Sequence, residues 1–238
     1  MEGQVRTGTP RYVAIITDGN GRWARRRALP VAAGHRAGAE TVRARLADAA
    51  EFGIRELTVY AFSTENWSRT PAEVRGLIEL LAEYIDRVSP QLHAEGVRLR
   101  FIGDRGHPVP PELVAKMEWA EELTAGNDRI VFCVPFNYGG RAEILRAAAT
   151  FAGGGEREFR AGLNAPDLHD PELLIRAGGE RRLSNYLLWQ AAYAELVFRD
   201  ELWPEFSREA FESSLGEFHR RRASRQRSDY LDPDQAPA

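Results

Sequence analysis

A single cysteine among 238 residues excludes an internal disulfide framework. Cys133 lies in the apolar run Ile130-Val131-Phe132-Cys133-Val134, which makes it a buried structural thiol rather than a nucleophile. No Cys/His spacing of the kind that encloses zinc is present. Long apolar stretches are missing as well: none approaches the ~20 residues that cross a bilayer. The opening Met1-Glu2-Gly3-Gln4 carries no secretory-signal pattern, so the expected location is cytoplasmic. Charge of one sign is also lacking. Thirty-two Lys and Arg against 35 Asp and Glu leave a net charge of −3, which argues against a nucleic-acid partner. Walker A and dinucleotide-binding fingerprints, a Ser-His-Asp order and internal repeats are all absent.

What is present is an alternation of short apolar runs and amphipathic stretches. Residues 12–17, 57–62, 97–103, 130–134, 173–175 and 195–198 read as strands, several of them apolar throughout as in a sheet buried on both faces. Helices are expected over 34–52, 73–95, from Pro111 to about residue 125, from Arg141 to 151, briefly over 186–193, and after Ser207. Thr70, Pro71 and Glu73 are start signals for the second of these, and Pro90 should bend or break it. The predicted fold class is α/β: a single domain with a mostly parallel six-stranded sheet, helices on both faces and an apolar tunnel. Residues 1–11 read as a flexible arm, 12–218 as the catalytic domain, and 219–238 as an Arg-rich, then acidic, disordered tail.

Polar clusters follow the predicted strands. They are Asp18-Gly19-Asn20-Gly21-Arg22-Trp23, Ser63-Thr64-Glu65-Asn66-Trp67-Ser68-Arg69, Asn137-Tyr138-Gly139-Gly140-Arg141 and the stretch from Arg176 to Ser184. In an open parallel sheet the carboxyl ends of the strands share one edge, so these clusters converge on one crevice. Arg22, Arg69, Arg176 and Arg182, with His35, exceed what one monophosphate needs and suit two polyanionic groups. Asp18 and Glu195 are the acids placed to offset them, and Asp18 suits a hard metal ion. The helix over 73–95 has an apolar stripe (Val74, Leu77, Ile78, Leu81, Ile85, Val88, Leu92) wider than packing on one sheet requires. A charged rim beside an oily wall fits a substrate with a charged head and a hydrocarbon tail. Taken singly, each feature has a plainer reading: a tight βα turn at Asp18, ordinary caps at Ser63, Asn66 and His35, and a well-packed core.

The motifs Asp18-Gly19-Asn20-Gly21-Arg22-Trp23, Gly34-His35-Arg36-Ala37-Gly38, Tyr60-Ala61-Phe62-Ser63-Thr64-Glu65-Asn66-Trp67, Asn137-Tyr138-Gly139-Gly140-Arg141 and Ile175-Arg176-Ala177-Gly178-Gly179-Glu180-Arg181-Arg182-Leu183-Ser184-Asn185 closely resemble the cis-prenyltransferases. The resemblance is greatest to the bacterial undecaprenyl diphosphate synthases (isoprenyl transferases) and covers roughly residues 12–206. It implies a Mg²⁺-dependent homodimer that condenses isopentenyl diphosphate onto an allylic diphosphate such as farnesyl diphosphate with cis double bonds. The product lipid would be delivered to a membrane that the protein touches peripherally. Asp18 matches the family's catalytic, metal-positioning aspartate, and Asn66 the residue linked to proton removal. Gly19, Asn20, Gly21, Arg22, Trp23 and His35 match the allylic site. Ser63, Thr64, Glu65, Trp67 and Arg69 match crevice-lining residues. Arg176, Arg182 and Ser184 match the isopentenyl clamp, and Glu195 a second metal-site carboxylate.

The chain departs from the family pattern in places. Val31 stands where a base usually contacts the allylic phosphate, unless Arg25, Arg26 or Arg27 replaces it. Ala177 replaces Thr or Ser, Arg181 a frequent His, and Phe136 a smaller residue. The stretch 151–170 is short, and the usual Arg-x-Gly ending is missing. Each added five-carbon unit that is buried contributes roughly 3–4 kcal/mol at ~0.8 per methylene, so tunnel depth can set product length. Ala61 favours a long product and Phe136 a shorter one. Rival readings are a short-chain cis-prenyl or terpenoid diphosphate synthase on the same fold and a non-catalytic partner subunit. Such subunits typically lack the Asp18 motif.

Overall fold

The computed structural model describes residues 9–225. Its hub is β1 (Tyr12–Ile16), which pairs in parallel with β2 (Glu56–Val59) on one side and β6 (Leu173–Arg176) on the other. Beyond β6 lies β7 (Glu195–Phe198); beyond β2 lies β5 (Ile130–Tyr138), which also pairs with β4 (Val97–Ile102). All these pairings are parallel. The side chains of β1 alternate between two cores. Val13 and Ile15 join Leu57, Val59, Leu173 and Ile175 on one face. Ala14 and Ile16 join Leu174, Cys133, Tyr138 and Tyr186 on the other. Both faces are covered, which is why the strands read as continuous apolar runs.

The run expected as one strand over 57–62 is two, so among the described residues the sheet has seven strands rather than six. β2 stops at Val59, and β3 (Phe62–Ser63) pairs with the far end of β5. Between them the chain changes partner: the Tyr60 N–H donates to the Ile15 carbonyl (3.0 Å) and the Ala61 N–H to the Pro135 carbonyl (3.2 Å).

The helices are α1 (Asn20–Arg26), α2 (Val31–Glu51), α3 (Pro71–Ala94), α4 (Pro111–Thr124), α5 (Gly140–Thr150), α6 (Glu156–Arg160) and α7 (Arg208–Arg225). α3 begins with the expected capping box, Thr70 with Glu73, and Pro71 in its first turn. It runs through Pro90 without a break. α2 starts at Val31 rather than at Gly34. The short helix expected over 186–193 is a series of turns. Leu187 inside it has φ of 44°, and Ser184 and Asn185 just before it have φ of 50° and 64°, a left-handed conformation that a right-handed helix does not contain. α7 carries the first part of the expected loose tail as helix through Arg225. The rest of that tail, and residues 1–8 of the arm, lie outside the described residues. Of the arm's end, Pro10 is buried and the Arg11 carbonyl accepts from the N–H groups of Arg55 (2.7 Å) and Glu56 (3.1 Å). Among the described residues, no helix is long and apolar enough to cross a membrane.

Candidate active site at the carboxyl edge of the sheet

Register places the central charges together. Ile16 is level with Arg176, so the residues just past β1 and the end of β6 emerge side by side. The Arg176 guanidinium reaches Asp18 Oδ2 at 3.1 Å, and that of Arg22 reaches Oδ1 at 3.1 Å. Arg176 also donates to Ser184 Oγ at 2.6 Å and to the Arg182 carbonyl. Its side chain is 4% exposed while that of Asp18 is 30% exposed, so the pair presents its carboxylate to the crevice and hides its cation. Arg176 Nε and Asn20 Oδ1 are buried without a hydrogen-bond partner. Buried polar groups are nearly always paired, so these two call for an explanation such as a bound ligand or water.

The Asp18 loop is held from behind. The Trp203 N–H donates to the Asp18 carbonyl (2.9 Å), and its indole N–H donates to the Gly38 carbonyl (2.8 Å). α2 crosses α1 so closely that a Cβ on Gly34 would lie 2.1 Å from the Asn20 carbonyl oxygen, and one on Gly38 2.5 Å from Asn20 Oδ1. Four residues apart, the two glycines share one helix face; this explains the pattern Gly34-His35-Arg36-Ala37-Gly38. Burial first, then the Arg69 guanidinium, push the pKa of His35 down to about 4, with Glu73 opposing. His35 is therefore neutral at pH 7. Arg27 is occupied by Glu205 (2.8 Å) and the Trp23 ring (4.4 Å). Arg25 instead lays its guanidinium beside Gly21, 3.5 Å from where a Cβ would stand.

The 3₁₀ turn Thr64–Ser68 forms the next wall. Asn66 Oδ1 accepts the Ser63 N–H (3.0 Å), and the Trp67 indole N–H donates to Asn137 Oδ1 (2.8 Å). Asn66 and Trp67 thus fix the turn. Glu65 accepts from Asn185 Nδ2 (2.8 Å) and Thr64 Oγ1 (3.2 Å). Burial raises its pKa, but the hydrogen bonds from Asn185, its own backbone, Ser63 and Thr64 together outweigh this and leave it lowered. The Arg182 guanidinium turns away to Glu180, leaving only its carbonyl on Arg176.

Glu195 is not among the residues brought to this edge. It opens β7 level with Leu173, at the amino edge of the sheet, where Arg221 lies 3.5 Å from it. Strands rise ~3.3 Å per residue, which puts it about 10 Å from the level of Arg176. The expectation that Glu195 joins Asp18 at one metal is therefore not met within this chain. Among the described residues, no three His, Cys, Asp or Glu side chains gather into a cage. Magnesium needs no such cage: it keeps waters and binds through one or two carboxylates plus substrate phosphates. Asp18, partly exposed between two guanidiniums that draw phosphate, fits an ion that arrives with a diphosphate.

Below the rim, an apolar cavity, open to solvent at its mouth, runs between the sheet and helices α2 and α3. Thr17, Asn20 and His35 line its polar part; Leu81, Ile85, Val88, Leu92, Leu99 and Phe132 line the rest. Phe136 is in its wall, its ring 5.0 Å from that of Phe62. Asn185 and Trp203 are the site residues that sequence reasoning overlooked. Neither is a charged group after a strand, and only the folded turn shows what each one holds.

The family model "Putative undecaprenyl diphosphate synthase" matches residues 16–226. Isoprenyl transferase 2 of Bradyrhizobium diazoefficiens is 46% identical over 92% of this chain and 91% of its own. The ditrans,polycis-undecaprenyl-diphosphate synthase ((2E,6E)-farnesyl-diphosphate specific) of Pseudomonas putida is 45% identical over 93% and 90%. The crystal structure of lavandulyl diphosphate synthase from Lavandula x intermedia, in complex with dimethylallyl diphosphate, superposes with a TM-score of 0.86 at 30% identity, covering 95% of this chain and 99% of the other. The match across nearly the whole length shows that this chain belongs to the cis-prenyltransferase family.

Proposed function

We propose that this prenyltransferase condenses isopentenyl diphosphate onto an allylic diphosphate, farnesyl diphosphate among them, and makes a cis-polyprenyl diphosphate. The observation that carries the reading is the Asp18 carboxylate held between Arg22 and Arg176, with its neighbours Thr17 and Asn20 lining the polar part of the apolar cavity. The segment from Gly19 to Trp23, with neutral His35 and with Arg25, holds the allylic diphosphate. Arg176, Ser184 and the backbone near Arg182 hold isopentenyl diphosphate.

Breaking the allylic C–O bond sends its electron pair to the departing diphosphate and leaves an allylic cation. Arg22 is preorganised where that negative charge develops, the kind of electrostatic stabilisation that dominates many enzymes. Mg²⁺, when bound with Asp18 and the diphosphate, supplies further neutralisation of the leaving group. The terminal double-bond carbon of isopentenyl diphosphate attacks the cation to form the new C–C bond, and a proton then leaves C2. Asn66 already accepts the Ser63 N–H and an amide is a poor base, so the released pyrophosphate takes the proton. The longer allylic chain extends into the cavity, where each buried methylene contributes ~0.8 kcal/mol. The protein acts as a homodimer in the cytoplasm and passes its product to the membrane surface.

A second reading, a short-chain synthase, is favoured by the superposition on lavandulyl diphosphate synthase. Purified protein alone, given Mg²⁺, farnesyl diphosphate and labelled isopentenyl diphosphate, should yield long-chain alcohol after dephosphorylation and thin-layer analysis. Product limited to one or two added units would establish the short-chain reading. Incorporation only after a second protein is added would mark a partner subunit.

A further inference from the structure

The isopentenyl clamp hangs on a turn that cannot hold itself. Between Arg176 and β7 the backbone is left-handed at Gly178 (φ 89°), Gly179 (80°), Ser184 (50°), Asn185 (64°) and Leu187 (44°). For residues with a Cβ this conformation is strained, and such strain persists only where the surroundings over-determine it. Ser184 is inside the strained stretch, and its Oγ fixes the Arg176 guanidinium at 2.6 Å. Whatever holds the turn therefore also aims Arg176.

The holder is Asn185. Its side-chain oxygen accepts the Arg141 N–H (2.8 Å), its carbonyl accepts the Gly140 N–H (2.7 Å), and its amide nitrogen donates to Glu65 Oε1 (2.8 Å). One residue thereby joins the turn after β6 to the turn after β5 and to the 3₁₀ turn after β3. The glycine pair opposite leaves it room: a Cβ on Gly139 would stand 2.9 Å from Asn185 Nδ2, and one on Gly140 3.1 Å from its carbonyl oxygen. The residue type follows from these contacts. An amide both donates and accepts, and asparagine tolerates the left-handed region better than other residues with a Cβ. We propose that Asn185 is a positioning residue for isopentenyl diphosphate: it acts through Ser184 and Arg176, and through Glu65, without touching the reacting atoms. This rests on the prenyltransferase reading above.

The test compares wild type with Asn185→Gly and Asn185→Asp. Glycine keeps the left-handed backbone and deletes both side-chain bonds. Aspartate keeps the acceptor for Arg141 and turns the donor to Glu65 into a repelling carboxylate. Calorimetric titration with isopentenyl diphosphate, steady-state KM for each substrate and thermal melting are read together. Misplacement of the clamp predicts weaker isopentenyl diphosphate binding and a higher KM for it, by about tenfold or more in both variants, with the allylic KM within about twofold. Aspartate should be no better than glycine despite its surviving bond. An unchanged isopentenyl KM in a folded variant overturns the proposal. So does an equal rise in both KM values together with a lower melting point, the signature of a purely structural pin. If Asn185→Gly does not fold, the Asn185→Asp result decides by the same criteria. Wild type that binds and turns over no isopentenyl diphosphate would instead refute the functional reading itself.

Discussion

Acids and arginines meet at both edges of the sheet, but they do different work. At the amino edge Glu56 is buried, accepts the His169 N–H at 3.2 Å and pairs with that ring, which stacks on Tyr12. Glu195 lies near Arg221, and Glu172 pairs with Arg222 at 2.7 Å. At the carboxyl edge Asp18 keeps 30% of its surface open between two guanidiniums, and buried Arg176 Nε and Asn20 Oδ1 lack partners. One edge closes its charges into structure; the other leaves a carboxylate partly open. The difference comes from strand direction, since only the carboxyl edge gathers the turns that lead out of β1, β3, β5 and β6.

The sharpest way to break this comparison is to remove the central acid. Asp18→Ala should cut turnover by on the order of 10³-fold while the protein stays folded, with a lowered melting point because buried Arg176 loses its counter-charge. Label incorporation measures the first and calorimetry the second, and near-native turnover would dissolve the distinction between the edges.

A smaller effect is expected beside Gly21. Arg25→Ala should raise the allylic KM about tenfold, the loss of one charge-assisted contact. Val31→Arg should change it little, because the Arg25 guanidinium already lies beside Gly21. A large improvement from Val31→Arg would show that Arg25 leaves the allylic phosphate unserved.

His35 links the rim to stability. With its folded pKa lowered to about 4 and an unfolded value of ~6.5, the unfolded chain binds more protons between those limits. Stability must therefore rise with pH from about 4 to 6.5 and level off above. His35→Gln should flatten part of that slope in urea titrations run across the range; an unchanged slope would place the effect in other groups.

The smallest effect on chemistry belongs to the amino edge. Glu195→Gln should leave kcat within about twofold and cost about 1–2 kcal/mol of stability, as for a buried hydrogen-bonding group weakened in place. A Mg²⁺-dependent loss of turnover would return Glu195 to the metal site through contacts outside this chain.

Most of the scaffold was legible because burial writes itself into composition. The run at 130–134 is apolar throughout and that at 12–17 nearly so, and the Thr70-Pro71-Ala72-Glu73 start of α3 states its own geometry. The crevice was legible for a related reason: strand ends are where Asp18, Ser63, Asn137 and Arg176 fall. Other features depended on long-range pairing. Nothing in Val59-Tyr60-Ala61-Phe62 says that its hydrogen bonds pass from β1 to β5. Leu187 has a good helix propensity but is left-handed, since the turn before it is pinned where Asn185 bonds Gly140, Arg141 and Glu65. Glu195 misled because one-dimensional order does not say which end of a strand a residue occupies; parallel register places it across the sheet from Asp18.

The most direct test of the account is a crystal structure of the protein with Mg²⁺, a non-cleavable thiodiphosphate analogue of farnesyl diphosphate and isopentenyl diphosphate. One diphosphate should lie on the loop from Asp18 to Trp23 near His35, the other on Arg176 and Ser184, with the hydrocarbon running down between α2, α3 and the sheet. Diphosphate density at Glu195 and Arg221, or a farnesyl chain lying outside the apolar cavity, would contradict it.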